Sequence, residues 1–491
     1  MSRSITLSVH QLVDFLLRKG DIDNRIYNRS SMVEGSRIHS TYQTEQQQFS
    51  SYISEYPLSY TFNFGDIKVT LQGRADGIIK TSYRYIIDEI KSTTIDLNEF
   101  HDSQLEWHLG QAKCYAFMFA IEKKQDNIGV RLTYIRQGKE KEKLIEDYVF
   151  FTNELESYVN SLIVEYIDFY NIVFRHLNER SVTASELDFP FSNYRDGQRQ
   201  MCELTYGIAK KGGKLFVEAP TGIGKTMSTI FPYIKYMANK DKGKIFYLTA
   251  KSSGKEAAMN AIKILKNKGL SLNEILITAK DKICFCKGKD CNPDECPFAR
   301  MYYSKIQGII EYSLLRYSTF DYDTIVEIAK ENVICPFEFQ LDISLFCDVI
   351  VCDYNYIFDP TAYLKRYLDG DTDQYLALVD EAHNLVDRSR EMYSTKLNYN
   401  TFLLAKKSIR GIDNRKLKNA MRKISKIFDS FSEFDDGYTI SDFGDEEFYK
   451  VLNNIYSSLQ DISKEDNESI TKEITNLILE INQFCKIIQL I

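Results

Sequence analysis

The sequence has 491 residues, of which 44% are hydrophobic, 27% charged and 13% aromatic, and its formal net charge is −7. This is the composition of a globular protein with length for about three domains. It leaves out a membrane-spanning chain, because no segment offers the ~20 consecutive apolar residues that a span needs, and it gives no overall positive charge, so nucleic-acid binding would need local basic patches.

The N-terminal stretch Met1–Phe15 is polar and contains His10 where a secretory leader needs an apolar run. A cytoplasmic location is the resulting expectation. In a reducing compartment the 10 cysteines would not form a disulfide framework, and the clustered ones point to metal binding or catalysis.

Residues 1–180 read as one α/β unit. Val9, Leu12, Val13, Leu16 and Leu17 recur at helical spacing. Strands are expected near Ile67–Leu71 and Tyr85–Ile90, and a helix from about Ser103 to Ile121. Within this unit, Gly73-Arg-Ala-Asp76 precedes the strand that ends in Glu89-Ile-Lys91. Strand period places Glu89 and Lys91 on one face. Two carboxylates and a lysine at one sheet edge suit metal-dependent hydrolysis: Asp76 and Glu89 would ligate magnesium or manganese, and Lys91 would position the attacking water. Gln111 and Tyr115 are four apart on the expected helix and share its face. A surface ion pair is the plainer reading of Glu89 and Lys91 taken alone.

The polar stretch Asn178–Glu186 reads as a linker. Beyond it, 187–390 holds short apolar runs at Leu215–Val217, Ile245–Leu248, Val349–Val351 and Leu376–Val379, alternating with helical segments. That pattern predicts a buried parallel sheet. The first run leads into Ala219-Pro-Thr-Gly-Ile-Gly-Lys-Thr226, a phosphate-binding loop at a helix start. Backbone amides around Thr221, Gly222 and Gly224 would cradle phosphates, Lys225 would reach the β- and γ-phosphates, and Thr226 would place its hydroxyl on magnesium. Upstream, Arg195 and Gln198 of Tyr194-Arg-Asp-Gly-Gln198 are candidates for adenine contact. The last run leads into Asp380-Glu-Ala-His383, where Asp380 would serve the metal of bound ATP and Glu381 the attacking water.

Between loop and box lie Cys284, Cys291, Cys296 and Cys335. Four thiolates suit an iron–sulfur cluster or zinc, and Cys286 is an extra thiol that could compete for a ligand role. From Glu391 onward the pattern is helical, including Ile474–Ile488 and an acidic loop near Asp435–Glu447.

The segments around Cys284, Cys-Asn-Pro-Asp-Glu-Cys296-Pro-Phe-Ala and Ile-Cys335-Pro-Phe, with Val-Cys-Asp-Tyr-Asn-Tyr-Ile-Phe-Asp-Pro360, resemble the XPD/DinG-type DNA helicases. The phosphate loop, Tyr247-Leu-Thr-Ala250 and the Asp380–His383 box stand in that family's order. The resemblance implies a RecA-like first lobe over 187–390, an iron–sulfur insertion at about 280–340 and a helical arch over 391–491. It further implies a 4Fe–4S cluster on Cys284, Cys291, Cys296 and Cys335, ATP and magnesium as cofactors, and 5′→3′ movement on single-stranded DNA. No second motor lobe follows the box, so this chain alone is not expected to unwind DNA. A non-catalytic DNA-binding fragment is the competing reading.

The N-terminal unit is similar to the RecB-type PD-(D/E)xK nucleases, with a restriction-endonuclease-like fold. On that resemblance His39 of Gly35-Ser-Arg-Ile-His39 is a further metal ligand, and Gln111 and Tyr115 join the catalytic set by orienting the lysine and the DNA. Cys114 alone precedes Cys202, so the second cluster that some members carry is not expected. Taken together, the expectation is a DNA repair or processing enzyme, a metal-dependent nuclease fused to an ATP-driven helicase lobe.

Overall fold

The computed structural model describes residues 3–24, 29–49, 51–138, 142–240, 243–360, 364, 367, 375–431, 446–465 and 470–488. The chain divides into two compact units: residues 1–247, 251–352 and 373–378 form the larger, and 248–250, 353–372 and 379–491 the smaller. The acidic loop expected near Asp435–Glu447 lies outside the described residues over 435–445.

The larger unit opens with strand β1 (Arg3–Ser8) and helix α1 (Val9–Leu16). Ser8 and Gln11 form a reciprocal capping box, which fixes where α1 begins. Helix α2 (Arg29–Gln47) is followed by β2 (Tyr52–Phe64), β3 (Ile67–Lys80) and β4 (Tyr85–Thr93). Next come α3 (Leu97–Lys123), β5 (Asn127–Arg136), β6 (Lys143–Phe151) and α4 (Thr152–Glu186). The strands form a six-stranded mixed sheet in the order β1-β3-β4-β5-β6, with β2 also paired to β3. The expected strands and the α1 and α3 helices are all present; the strands and α3 run longer than the apolar pattern alone marks, and α1 ends one residue before Leu17.

Helix α3 begins at an Asp96 cap, whose side chain accepts the amides of Asn98 and Glu99. It is apolar on nearly every side over Ala112–Ala120, because it lies between the sheet and its neighbouring helices. Gly110 is what lets α1 lie so near, since a Cβ there would overlap the Leu17 side chain.

The expected linker is helix. Residues Asn178–Glu186 are the last turns of α4, which runs for 35 residues. The polarity of that stretch is explained by its partners: Arg180 is buried in an ionic contact, and Ala184 packs into a second core. Leu155, Val159, Leu162, Ile163 and Ile167 of the same helix belong to the first core.

The second core lies around a five-stranded sheet. Helices α5 (Gln198–Lys211) and α6 (Lys225–Met237) precede β7 (Lys244–Leu248), α7 (Ser252–Lys266) and β8 (Glu274–Leu276). Then follow α8 (Lys280–Ile283), α9 (Tyr302–Arg316), β9 (Thr319–Phe320), α10 (Tyr322–Asn332), α11 (Pro336–Ile343), β10 (Val349–Cys352), α12 (Asn355–Phe358) and β11 (Tyr375–Val379). The strand order is β11-β7-β10-β8-β9, and β8 pairs in parallel with both β9 and β10.

One expected strand is absent. Leu215–Val217 carries no sheet pairing, and Phe216 is 87% exposed. Gly212 and Gly213, at φ +75° and +104°, turn the chain away after α5. Strand propensity alone, without a neighbouring strand to bond, does not make a strand.

The smaller unit contains the helices Tyr399–Ser408, Arg415–Phe431, Glu446–Glu465 and Lys472–Ile488. Their shared core includes Phe402, Leu417, Ile424, Leu452, Ile455, Leu477 and Ile481 at helical spacing. Among the described residues, no helix is long and apolar enough to cross a membrane.

Candidate active site

The antiparallel pairing of β3 with β4 sets Gly77 opposite Asp88, which brings Asp76 to the start of the Glu89–Lys91 segment. Asp76 Oδ2 accepts the backbone amide of Ile90 at 2.8 Å. Lys91 Nζ lies 2.6 Å from Glu89 Oε1 and 3.0 Å from Gln111 Oε1 on α3. Glu89 is 1% exposed, and its second carboxylate oxygen, Oε2, is buried without a hydrogen-bond partner. Burial drives the Glu89 carboxyl well above the usual carboxylate range; Lys91 opposes that shift and Asp76 adds to it. Desolvation pulls the Lys91 ammonium down, but the Glu89 and Asp76 charges outweigh it and the net shift is upward.

Tyr115, one turn beyond Gln111, hydrogen-bonds to the Gln111 side chain and stands in the field of Glu89. Its ring lies directly over Gly73, where an added Cβ would come within 2.7 Å of it. Gly35 plays the same part for α2, since a Cβ there would meet Ser92 Oγ on β4 at 2.9 Å. This close approach brings His39 into the fields of Asp76 and Lys91, while burial holds its ring below the ordinary value. His39, Asp76, Glu89, Lys91, Gln111 and Tyr115 thus come from α2, β3, β4 and α3 to one place.

Two further groups stand here that no sequence signal marked. His10 Nε2, on α1, lies 3.2 Å from Gln111 Nε2. Beneath the site, Asp88 is buried between Tyr52 and Thr133, accepting their hydroxyls at 3.2 and 2.7 Å, and burial pushes its carboxyl up to about 6.

The phosphate loop precedes α6 with Gly222 and Gly224 at φ +90° and +85°, the left-handed backbone that glycine allows. Lys225 Nζ donates to the Ala219 carbonyl at 3.2 Å, and Thr226 Oγ1 is 3.5 Å from Tyr247 Oη. Arg195 donates from its guanidinium to the Gly222 carbonyl. Gln198, 2% exposed, packs under Gly224 and accepts the Arg195 amide at 3.0 Å. Arg195 and Gln198 are therefore built onto the loop, and Thr221 is exposed at its tip.

Within the smaller unit, Tyr354 donates its hydroxyl to the Asp380 carbonyl, and also to that of Glu381 at 3.2 Å. Glu381 adopts φ +51°, a conformation uncommon for a residue with a Cβ. His383 Nδ1 is 3.6 Å from Glu381 Oε2.

The cysteines of 284–335 are all thiols. Cys286 hydrogen-bonds to Cys296 and stands near Cys284, and its thiol is pushed up to about 11 by desolvation and these neighbours. Cys335, at the start of α11, has Cys291 beside it; burial raises its thiol to about 12 against the Glu338 and Phe337 amides. Among the described residues, no three or more His, Cys, Asp or Glu side chains are grouped to hold a metal ion. The donor types suit thiolate ligation, and Asp76 with the unpartnered Glu89 oxygen suits magnesium, which takes one or two carboxylates and completes its shell with water and phosphate.

The same segment is bound to residues 18–24 of the larger unit. Ile22 and Asn24 donate their amides to the Ala299 and Cys291 carbonyls, both at 2.9 Å, and Tyr303 donates to the Gly20 carbonyl at 3.0 Å. Asp21 Oδ1 accepts the Met301 amide at 2.6 Å, and the Arg18 guanidinium lies 3.6 Å from the centre of the Tyr303 ring.

Residues 19–205 match the PD-(D/E)XK nuclease superfamily, and residues 254–402 match the DEAD_2 family. The general transcription and DNA repair factor IIH helicase subunit XPD of Schizosaccharomyces pombe is 22% identical over 279 residues, which cover 50% of this chain and 36% of that protein. The ATP-dependent DNA helicase XPD of Sulfolobus acidocaldarius is 23% identical over 239 residues, covering 47% of this chain and 40% of that one. A solved XPD helicase structure, 18% identical, covers 61% of this chain and 51% of its own at a TM-score of 0.38. The chain thus spans well under half the length of those two curated relatives. Its residues 19–205 are thus similar to the PD-(D/E)XK nuclease superfamily, and its residues 254–402 to the DEAD_2 family.

Proposed function

We propose that this chain is a DNA-processing enzyme, in which the N-terminal domain is a metal-dependent nuclease and the following region is the first lobe of an ATP-dependent, XPD-type helicase motor. The observation that carries the nuclease reading is the buried Glu89 oxygen without a partner, beside Asp76 and beneath a lysine held by two acceptors. Lys91 engages only one of the two oxygens, and a buried carboxylate oxygen left unpartnered is costly unless a second cation or donor joins it.

Asp76 and Glu89 would hold magnesium or manganese, with His39 as a further ligand. The metal, when bound, would supply an activated water and neutralise charge on the scissile phosphate. Lys91, aimed by Glu89 and Gln111, would orient that water and face the phosphate with its positive charge. Tyr115 would keep Gln111 in place. In the motor region, Thr221, Gly222, Gly224, Lys225 and Thr226 would bind the ATP phosphates, Arg195 and Gln198 the base, Asp380 the magnesium, and Glu381 the attacking water. Cys284, Cys291, Cys296 and Cys335 would hold a 4Fe–4S cluster, and the motor would move 5′→3′ on single-stranded DNA. DNA repair is the process this combination fits.

The test is cleavage of labelled DNA with magnesium or manganese, run beside Lys91→Ala and Glu89→Gln. Cleavage by the unmodified protein alone supports the nuclease. No cleavage, or equal cleavage by all three, favours a domain that only grips DNA. Nucleotide binding lost in Lys225→Ala tests the motor reading separately.

A further inference from the structure

We propose that His10 is a positioning residue of the nuclease site: by accepting a hydrogen bond at Nε2 it fixes the Gln111 amide, and through it the Lys91 ammonium. The proposal rests on the nuclease reading above.

The direction of each bond follows from donor chemistry. Lys91 carries only hydrogens, so the Gln111 atom 3.0 Å from Nζ is the carbonyl oxygen. The Gln111 amide nitrogen is then the atom 3.2 Å from His10 Nε2. That nitrogen likewise offers only hydrogens, so His10 Nε2 is the lone-pair nitrogen and the ring proton sits on Nδ1. Turned over, Gln111 would set its NH2 against the ammonium and leave His10 facing an oxygen. Lys91 therefore sets the orientation of the amide, and His10 accepts from its other end.

The fold places His10 for this part and no other visible one. Its helix starts at the Ser8 capping box and is held against α3 by the Trp107–Asp14 hydrogen bond, 2.8 Å, and by Leu17 over Gly110. His10 is exposed and outside the hydrophobic core, so its replacement removes nothing from that core. The charged groups around it are Lys91 on β4, Asp76 on β3 and Asp14 on its own helix.

Three variants separate this role from general packing. His10→Leu removes the acceptor, His10→Gln keeps one, and His10→Leu/Lys91→Ala asks whether the effect runs through Lys91. With magnesium and a labelled single-stranded oligonucleotide, His10→Leu should lower kcat about 10- to 100-fold, as loss of a supporting hydrogen bond does at metal sites, with KM little changed. His10→Gln should restore most of it, and the double variant should be no worse than Lys91→Ala. An independent readout is acylation of Lys91 by an amine-reactive ester, followed by mass spectrometry. Lys91 should react faster in His10→Leu, as in Gln111→Leu, and at the original rate in His10→Gln. If no variant shows cleavage, the nuclease reading fails while the acylation pattern still decides the role of His10. Unchanged Lys91 reactivity in His10→Leu, alongside faster reaction in Gln111→Leu, overturns the inference.

Discussion

Arg180 Nη1 lies 2.7 Å from Asp348 Oδ1, and neither side chain is more than 4% exposed. His176 Nε2 reaches the other Asp348 oxygen at 2.6 Å, and the Asn273 amide joins it at 2.9 Å. These contacts tie the end of α4 to the segment entering β10.

Asp348→Asn should therefore destabilise the larger unit by about 3–5 kcal/mol, because it leaves Arg180 buried without its counter-charge. The pH dependence has a definite sign. Burial alone would raise the Asp348 carboxyl, but Arg180 and His176 bring it far below the ordinary range. A depressed carboxylate stabilises above its unfolded value, near 4, and loses that contribution as pH falls through the folded one. Urea unfolding at a series of acidic pH values should show this loss in the unmodified protein and not in Asp348→Asn.

Gly73→Ala tests the seat of Tyr115. Its Cβ would come within 2.7 Å of a ring that is 1% exposed and has nowhere to go. Overpacking of this kind costs about 1–3 kcal/mol. The variant should melt lower and lose cleavage activity together. A Gly73→Ala protein of unchanged stability would mean that the ring is free to move.

Metal binding should be readable as stability. A cation that binds only the folded chain adds about 2.7 kcal/mol at 100 times its Kd. Magnesium or manganese should raise the Tm of the unmodified protein and leave that of Glu89→Gln unaltered. In chelator the gain of the unmodified protein should vanish. The raised Glu89 carboxyl means that, without metal, stability falls as pH rises from the ordinary carboxylate value to the raised one. Calorimetry with and without chelator checks both statements.

Arg18→Ala should loosen the junction between residues 20–24 and the cysteine segment. A cation over an aromatic face contributes about 0.5–2 kcal/mol, so the amides of Ile22, Asn24, Met301 and Tyr303 should exchange with deuterium roughly 2- to 30-fold faster. Uniform acceleration along the chain would count against a local role for Arg18.

The parts legible in the sequence are those set by near neighbours. Glu89 and Lys91 share a strand, Gln111 and Tyr115 share a helix face, and Gly222 and Gly224 announce their own backbone. What was not legible depends on partners remote in the chain. Asn178–Glu186 looks like a polar connection until Asp348, 168 residues from Arg180, is in place to receive it. Leu215–Val217 has strand composition but no strand beside it. His10 lies 101 residues from Gln111, and only the packing of α1 on α3 makes them neighbours.

Helix α4 carries a last consequence. Its 35 residues extend about 50 Å, and its apolar positions belong to one core at Leu155–Ile167 and to another at Ala184. Neither core can melt without stripping part of the same helix, leaving an apolar stripe in water or breaking a run of backbone hydrogen bonds. The two cores are thus thermodynamically linked, and heat should bring them apart in a single cooperative transition, with the Asp348→Asn protein the first in which that transition separates into two.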